Sequence, residues 1–301
     1  MSPQLSSQWS LAVAVALWAA GSGAAAAVTP FTAQGANAAA IATTVGDFRT
    51  GLGTNNGVGV CAGGCLPGVG RREINWDAVP DAFASPNAFP GNFFNLPGGS
   101  AAGRIRGARF TTVGSFEVSA TLASGVPILF GNHHAANPTE FADFSPQRIF
   151  GLVGSNQLDV SFSLPGQPAT SAVVRGFGAV FTDVDLAAST RIEFFGVGGG
   201  LLYTLDAPPF AAAGDKSFSF AGVVFDTPVV QRVRITSGGY DLNRLLFGAN
   251  DAVAMDDFIY GEPALAVPEP AAMALWAAGL LGLVAATRRR RPPCARRTAA
   301  R

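Results

Sequence analysis

Apolar residues recur along the chain with two different periods. Over residues 36–52, Ile41, Val45, Phe48 and Leu52 follow one another at i, i+4, i+7 and i+11, the spacing of one helix face, with Asn37 placed as N-cap and Gly53 as stop. A single apolar stripe needs a partner, so this helix is expected to dock on the domain that follows. From Arg104 onward the period becomes two: Leu158, Val160, Phe162 and Leu164 alternate with Asp159, Ser161 and Ser163, as in a half-buried strand. Segments 173–184, 190–197, 201–205, 218–225, 229–236 and 253–260 read likewise as strands, separated by Gly, Pro and Asp clusters. Gly198, Gly199 and Gly200 mark a hairpin turn between two of them. Residues 53–70 and most of 80–100 are loops by their Gly and Pro content. The pattern predicts an all-β fold: a jelly-roll-like antiparallel β-sandwich of about eight to ten strands with one N-terminal helix.

The two ends follow neither period. Residues 11–20 are an apolar run followed by small residues, with Ala25 and Ala27 placed before Val28, which is the form of a signal peptide helix over 1–27. Such a run is too short to span a bilayer. At the other end, Pro268, Glu269 and Pro270 precede the uncharged, mostly apolar residues 271–287 and then Arg288, Arg289, Arg290 and Arg291. That length lies at the short end of the spanning range, so a single transmembrane helix is expected over 271–287, and the Arg cluster would hold its end in the cytoplasm. The two prolines keep the segment before it extended and accessible at the membrane surface. The expected organisation is a signal peptide over 1–27, a helix and Gly-rich loop over 28–70, a β-sandwich ectodomain over 71–263 and a C-terminal segment over 264–301.

Charge sharpens this division. The 301 residues carry twenty acidic and twenty basic side chains, with a pI near 6.7. Residues 1–27 hold none of these charges, and the basic side chains of 268–301 are seven Arg against the single Glu269. The remaining 28–267 has 19 acidic against 13 basic side chains and is therefore acidic once both ends are removed. At 49% hydrophobic and 13% charged, the chain can bury a core and is not a disordered polymer. It lacks the basic excess of a nucleic-acid binder, and an acidic ectodomain favours cations or neutral sugars over polyanions.

Val267-Pro268-Glu269-Pro270, the apolar segment and the terminal Arg cluster together resemble the PEP-CTERM sorting signal of exported bacterial proteins. The resemblance implies that an exosortase, a membrane transpeptidase-like enzyme, recognises Pro268, Glu269 and Pro270. It would cleave near them and release or transfer the ectodomain to the cell surface or extracellular matrix. The chain would be anchored in the inner membrane only until then. Three internal phrases, GRREINWDAVPD from Gly70, VRGFGAVFTDVD from Val174, and RVRITSG from Arg232 with AMDDFIYGE from Ala254, are similar to those of a group of PEP-CTERM ectodomains. What that likeness implies is a sandwich like that of carbohydrate-binding modules, with no implied activity.

Candidate chemistry is sparse. Asp183 and Asp185 lie two apart at a strand end and so share a face, Asp256 and Asp257 begin the last expected strand, and Asp77 ends the INWD run. If the strands bearing Asp77 and Asp256 are neighbours, converging carboxylates would suit structural calcium; otherwise these acids cap turns, accept backbone hydrogen bonds or pair with Arg71, Arg72 and Arg234. His133 and His134 are adjacent, point to opposite sides of an extended segment and read as a solvated loop. Cys61 and Cys65 in CAGGC are favoured as a disulfide over free thiols or metal ligands in an oxidising compartment. No nucleophile elbow, zincin motif or phosphate loop is present in the sequence. The expected function is that of a non-enzymatic surface protein binding polysaccharide or another envelope component. A secreted carbohydrate-active hydrolase or lyase and a purely structural protein are the alternatives. Trp76 and Tyr240 are the aromatic candidates for sugar contact, with Trp76 more suited to the core.

Overall fold

The computed structural model describes residues 26–60, 66, 68–210, 214–244, 251–266, 278, 279 and 281. Thirteen strands occur among the described residues, numbered here in chain order. One sheet runs in the order β1 (Val28–Gly35), β11 (Phe218–Phe225), β8 (Gly176–Thr182), β13 (Ala254–Gly261), β5 (Phe150–Val153) and β4 (Ser115–Val118), with β2 (Arg71–Ile74) also paired to β13. The other runs β10 (Leu201–Asp206), β9 (Arg191–Phe195), β12 (Arg232–Thr236), β6 (Gln157–Leu164) and β3 (Ala108–Thr111), with β7 (Gln167–Ser171) beside β6. Every pairing between these strands is antiparallel. The fold is an all-β sandwich, and its strands outnumber the eight to ten expected.

The sheets share one core because their alternating residues face each other. Leu158, Val160 and Phe162 of β6, Ile192 and Phe194 of β9, and Val233 and Ile235 of β12 meet Phe177, Phe181, Val223, Met255 and Phe258 of the opposite sheet. Asp159, Ser161, Glu193, Arg232 and Arg234 alternate with these apolar residues and remain partly exposed, so the six-stranded sheet keeps one wet face. The seven-stranded sheet differs: β8, β11 and β13 are buried along their whole length. Both faces of these three strands are covered.

Helix α1 (Ala38–Leu52) supplies part of that cover. Asn37 Oδ1 accepts the Ala40 amide at 3.1 Å, and Gly53 ends the helix at φ 100°, as the pattern predicts. Ile41, Val45, Phe48 and Leu52 are fully buried against Val180, Phe218, Phe220, Val224 and Ile259. Phe48 approaches closely because Gly178 and Gly222 sit opposite each other on β8 and β11. A Cβ at Gly178 would lie 2.8 Å from the Phe48 ring, and one at Gly222 would lie 2.9 Å from it.

The N-terminal division needs correction. The first residues of 28–70 form β1, an edge strand that pairs along its length with β11, so this segment is integral to the unit Ala26–Ala266. The expected hairpin at 198–200 is present: Gly196 donates to the Gly200 carbonyl at 2.9 Å, with Gly198 and Gly199 both at positive φ. The 80–100 loop lacks strands but is anchored, since Phe89, Phe93 and Phe94 enter the core beside Trp76. Trp76 stacks on Phe150 with ring centroids 4.4 Å apart. Among the described residues no helix is long and apolar enough to cross a membrane. The expected spans over 11–20 and 271–287 lie outside the described residues, apart from 278, 279 and 281.

Candidate functional site

Five carboxylates expected from the sequence to share calcium divide between two places. Pairing of β2 with β13, Ile74 opposite Phe258, brings Asp77 into the neighbourhood of Asp256 and Asp257. There all three acids fasten the 144–148 segment. Asp77 Oδ1 accepts the amides of Gln147 at 2.7 Å and Arg148 at 3.2 Å. Asp256 Oδ2 accepts those of Phe144 at 2.7 Å and Ser145 at 3.1 Å. The Ser145 hydroxyl lies 2.8 Å from Asp257 Oδ1, while Asp257 Oδ2 accepts Arg49 Nη2 at 2.9 Å. Arg49 also holds Glu73 at 2.9 Å, tying helix α1 to the same knot. Burial raises all three carboxyls above their ordinary value, Asp256 most strongly, with the Asp257 charge adding to it.

Asp183 and Asp185 follow β8 in a second group with Asp251, Asp215 and Glu140. Asp183 is 3% exposed, lies at φ 69°, and its Oδ1 has no hydrogen-bond partner among the described residues. Burial pushes its carboxyl up to about 8, and the Asp185, Glu140, Asp215 and Asp251 charges push the same way. Asp251 instead spends its oxygens on the Asp185 and Leu186 amides and the Ser189 hydroxyl. Among the described residues no three His, Cys, Asp or Glu side chains are grouped to hold a metal ion. The proposed calcium set of Asp77, Asp183, Asp185, Asp256 and Asp257 is therefore not one site.

His133 departs from the solvated loop expected for it. Its Nε2 lies 2.9 Å from Glu117 Oε2 and its Nδ1 2.8 Å from Asn243 Oδ1. Two oxygen acceptors favour the doubly protonated ring, and the Glu117 hydrogen bond raises the imidazole above its ordinary value against the opposing effect of burial. His134 turns elsewhere, its Nδ1 facing the Ala136 amide.

The open face of the six-stranded sheet carries a polar cluster built from neighbouring strands. Asp159 of β6 takes both prongs of Arg234, Nε and Nη2 each at 2.9 Å, and also Arg232 Nη1 at 2.7 Å. Burial acts to raise Asp159, but the two arginines outweigh it and hold the carboxyl below its usual range. Arg232 lies 3.8 Å over the Phe195 ring centre, and Arg109 projects from β3 opposite Ser161. A shallow cavity of about 250 Å³ opens beside Asp159 and Arg234, with Gln157, Thr111 and Thr112 on its walls. The chemistry available is hydrogen bonding by forked donors and carboxylate oxygens beside one aromatic face. Sequence reasoning missed this face, although the alternation of β6 and β12 already set Asp159, Arg232 and Arg234 away from the core. Trp76 is core and Tyr240 is half-buried beside Leu242, so neither is the open aromatic platform sought from the sequence.

Cys61, Cys65, Pro268, Glu269, Pro270, Arg288, Arg289, Arg290 and Arg291 lie outside the described residues. Compared with known protein families and with curated proteins, the chain matches no family model and no characterised protein.

Proposed function

We propose that this chain is an exported surface protein, processed by an exosortase at Pro268-Glu269-Pro270, whose sandwich binds polysaccharide on the open face of the six-stranded sheet. The observation that carries the binding half is Asp159 gripped by Arg232 and Arg234 beside Phe195 on a partly exposed sheet face. Sugars offer hydroxyls to such planar polar groups and apolar ring faces to an aromatic side chain. The strand sequence supports the jelly-roll form of the sandwich. From β5 to β13, with β7 as the side addition, the chain alternates between sheets except at β9 and β10, giving the four-stranded orders β5-β13-β8-β11 and β6-β12-β9-β10 of a double Greek key. The sorting half rests on the order of the three C-terminal elements. Export through the signal peptide and transient anchoring by 271–287 complete the route to the cell surface.

A glycan array with full-length protein tests the binding half. Arg232→Ala and Asp159→Ala are expected to lose at least tenfold in affinity for any polymer bound. Unchanged binding by both variants, or depolymerisation without stoichiometric binding, overturns it. Intact-mass measurement in cells with and without an exosortase tests the sorting half, which fails if the C-terminal tail persists in both.

A further inference from the structure

Away from the open sheet face, a cavity of about 240 Å³ lies where the chain leaves β2, walled by Trp76, Pro80, Phe93, Phe94, Arg104 and Arg106. Its lining is mostly apolar, with Arg104 and Arg106 as its charged side chains. Arg104 is stacked 4.1 Å over the Phe93 ring centre and Arg106 5.1 Å over that of Phe94. Their hydrogen bonds go to main-chain carbonyls: Arg104 Nε to Phe93 at 3.3 Å, Arg106 Nε to Gly103 at 3.0 Å, and Arg106 Nη1 to Glu73. Among the described residues neither guanidinium has an acidic side chain at ion-pair distance. This contrasts with Arg49, Arg71, Arg72, Arg148, Arg232, Arg234 and Arg244, each of which holds a carboxylate.

Trp76 is also on the cavity lining. It is 1% exposed, and its indole nitrogen has no acceptor among the described residues. Enclosed donors without acceptors, and a partly enclosed cation without a counter-charge, are both costly arrangements that an acceptor-rich anion relieves. Burial lowers the Arg106 guanidinium by disfavouring its charge, and Arg72 pushes the same way while Tyr260 and Glu73 oppose it. The apolar lining suits a ligand with an apolar ring face, and the volume is below the roughly 300–1,000 Å³ of sites for drug-sized molecules. A single sugar ring bearing a carboxylate meets all of these conditions.

We propose that this cavity binds one uronic acid residue of an acidic polysaccharide, with the carboxylate on the Arg104 and Arg106 guanidiniums and the ring against the apolar wall at Ala78, Pro80 and Phe93. The proposal rests on the reading of the sandwich as a polysaccharide binder and names a sugar class for it. The acidic character of the ectodomain as a whole does not oppose it. Charges farther away than about 8 Å are largely screened at physiological ionic strength, so the two nearby guanidiniums set the local field.

Isothermal titration of the full-length protein with sodium D-glucuronate, sodium D-galacturonate and D-glucose tests it. At least one uronate is expected to bind at least tenfold more tightly than glucose, with affinity falling as NaCl is added. Arg104→Gln is expected to weaken uronate binding at least tenfold, and Arg104→Lys, which keeps the charge and loses the fork, to fall between them. Arg104 is the site of choice because it stacks more closely on its ring than Arg106 does, and an unchanged thermal unfolding curve will show that each variant folds. Equal binding of glucose and uronates, no uronate binding, or full affinity in Arg104→Gln overturns the proposal. Polymer binding that Arg232→Ala abolishes and Arg104→Gln leaves intact removes this site while the open-face reading stands. The reverse result removes the open face and keeps this cavity.

Discussion

Arg72 and Glu262 meet as a two-pronged ion pair sealed inside the protein. Arg72 Nε lies 2.8 Å from Glu262 Oε2 and Nη2 lies 2.9 Å from Oε1, with the arginine fully buried and the glutamate 3% exposed. The pair joins β2 to the residue just beyond β13, and Arg72 also reaches the Gly59 and Ile105 carbonyls, at 2.9 and 3.2 Å. It thereby stitches the Gly-rich loop to the sheet. Removing one partner strands the other charge in an enclosed site. Glu262→Gln is expected to cost about 3–5 kcal/mol of stability, read as a fall in the urea midpoint. A change within 0.5 kcal/mol, the range of a neutral surface substitution, would show that the pair has little energetic role.

The Gly178–Gly222 trough makes a packing prediction. Gly178→Ala places a methyl 2.8 Å from the Phe48 ring and is expected to destabilise by about 1–3 kcal/mol. Phe48→Leu should recover part of that loss in the double variant, because the smaller side chain vacates the contested space. Strict additivity of the two changes in a double-mutant cycle would mean that they do not compete.

Asp183 should give the protein an acid-side preference. Its folded value of about 8 lies far above the ordinary 3.8, so between those limits the folded state holds a proton that the unfolded chain releases. Stability therefore falls as pH rises through that window. Asp183→Asn is expected to flatten the slope and, above pH 8, to stabilise the fold by on the order of a few kcal/mol. Urea midpoints for both proteins across the window check this, and parallel curves would refute it.

His133 contributes a second slope that begins at higher pH. Its folded value is raised by the Glu117 hydrogen bond, so its stabilisation is complete below the unfolded value of 6.5 and is lost as pH rises through the folded one. A proton-NMR titration of the imidazole should place it above 6.5, and Glu117→Gln should return it toward that value. An unshifted titration in the parent protein would contradict the contact.

Asn37 is a simpler case. Its side chain caps helix α1 through the Ala40 amide, and Asn37→Ala is expected to cost about 1 kcal/mol. Unfolding midpoints that coincide with the parent would show that tertiary docking alone holds the helix start.

Helix α1 was legible because its signals lie within a few residues of one another: a cap, a stripe at helical spacing and a terminal glycine. The alternation in β6 was legible for the same reason. Strand β1 was not, because VTPFTAQG contains Pro30 and is mostly exposed, as befits an edge strand with little apolar face to show. The roles of the acids were hidden too. Asp77 and Asp256 are far apart in sequence, and only the β2–β13 register brings them to the same loop. Nothing local distinguishes a carboxylate that fastens Phe144 and Ser145 from one that awaits a cation.

Local periodicity and segmental charge thus determined the helical stripe of α1, the alternation of β6, the acidic middle and the order of Pro268-Glu269-Pro270, apolar run and Arg cluster near the C-terminus, since each depends on neighbours in the chain. Among the described residues, the tertiary structure alone decided that Asp183 is left without a partner for its Oδ1, that Asp159 holds two arginines on an open face, and that Arg104 and Arg106 line one cavity without an ion-paired acid. Those outcomes depend on which strand lies beside which. Strand order is set by the joint burial of many apolar faces, a global quantity that no short stretch of sequence carries.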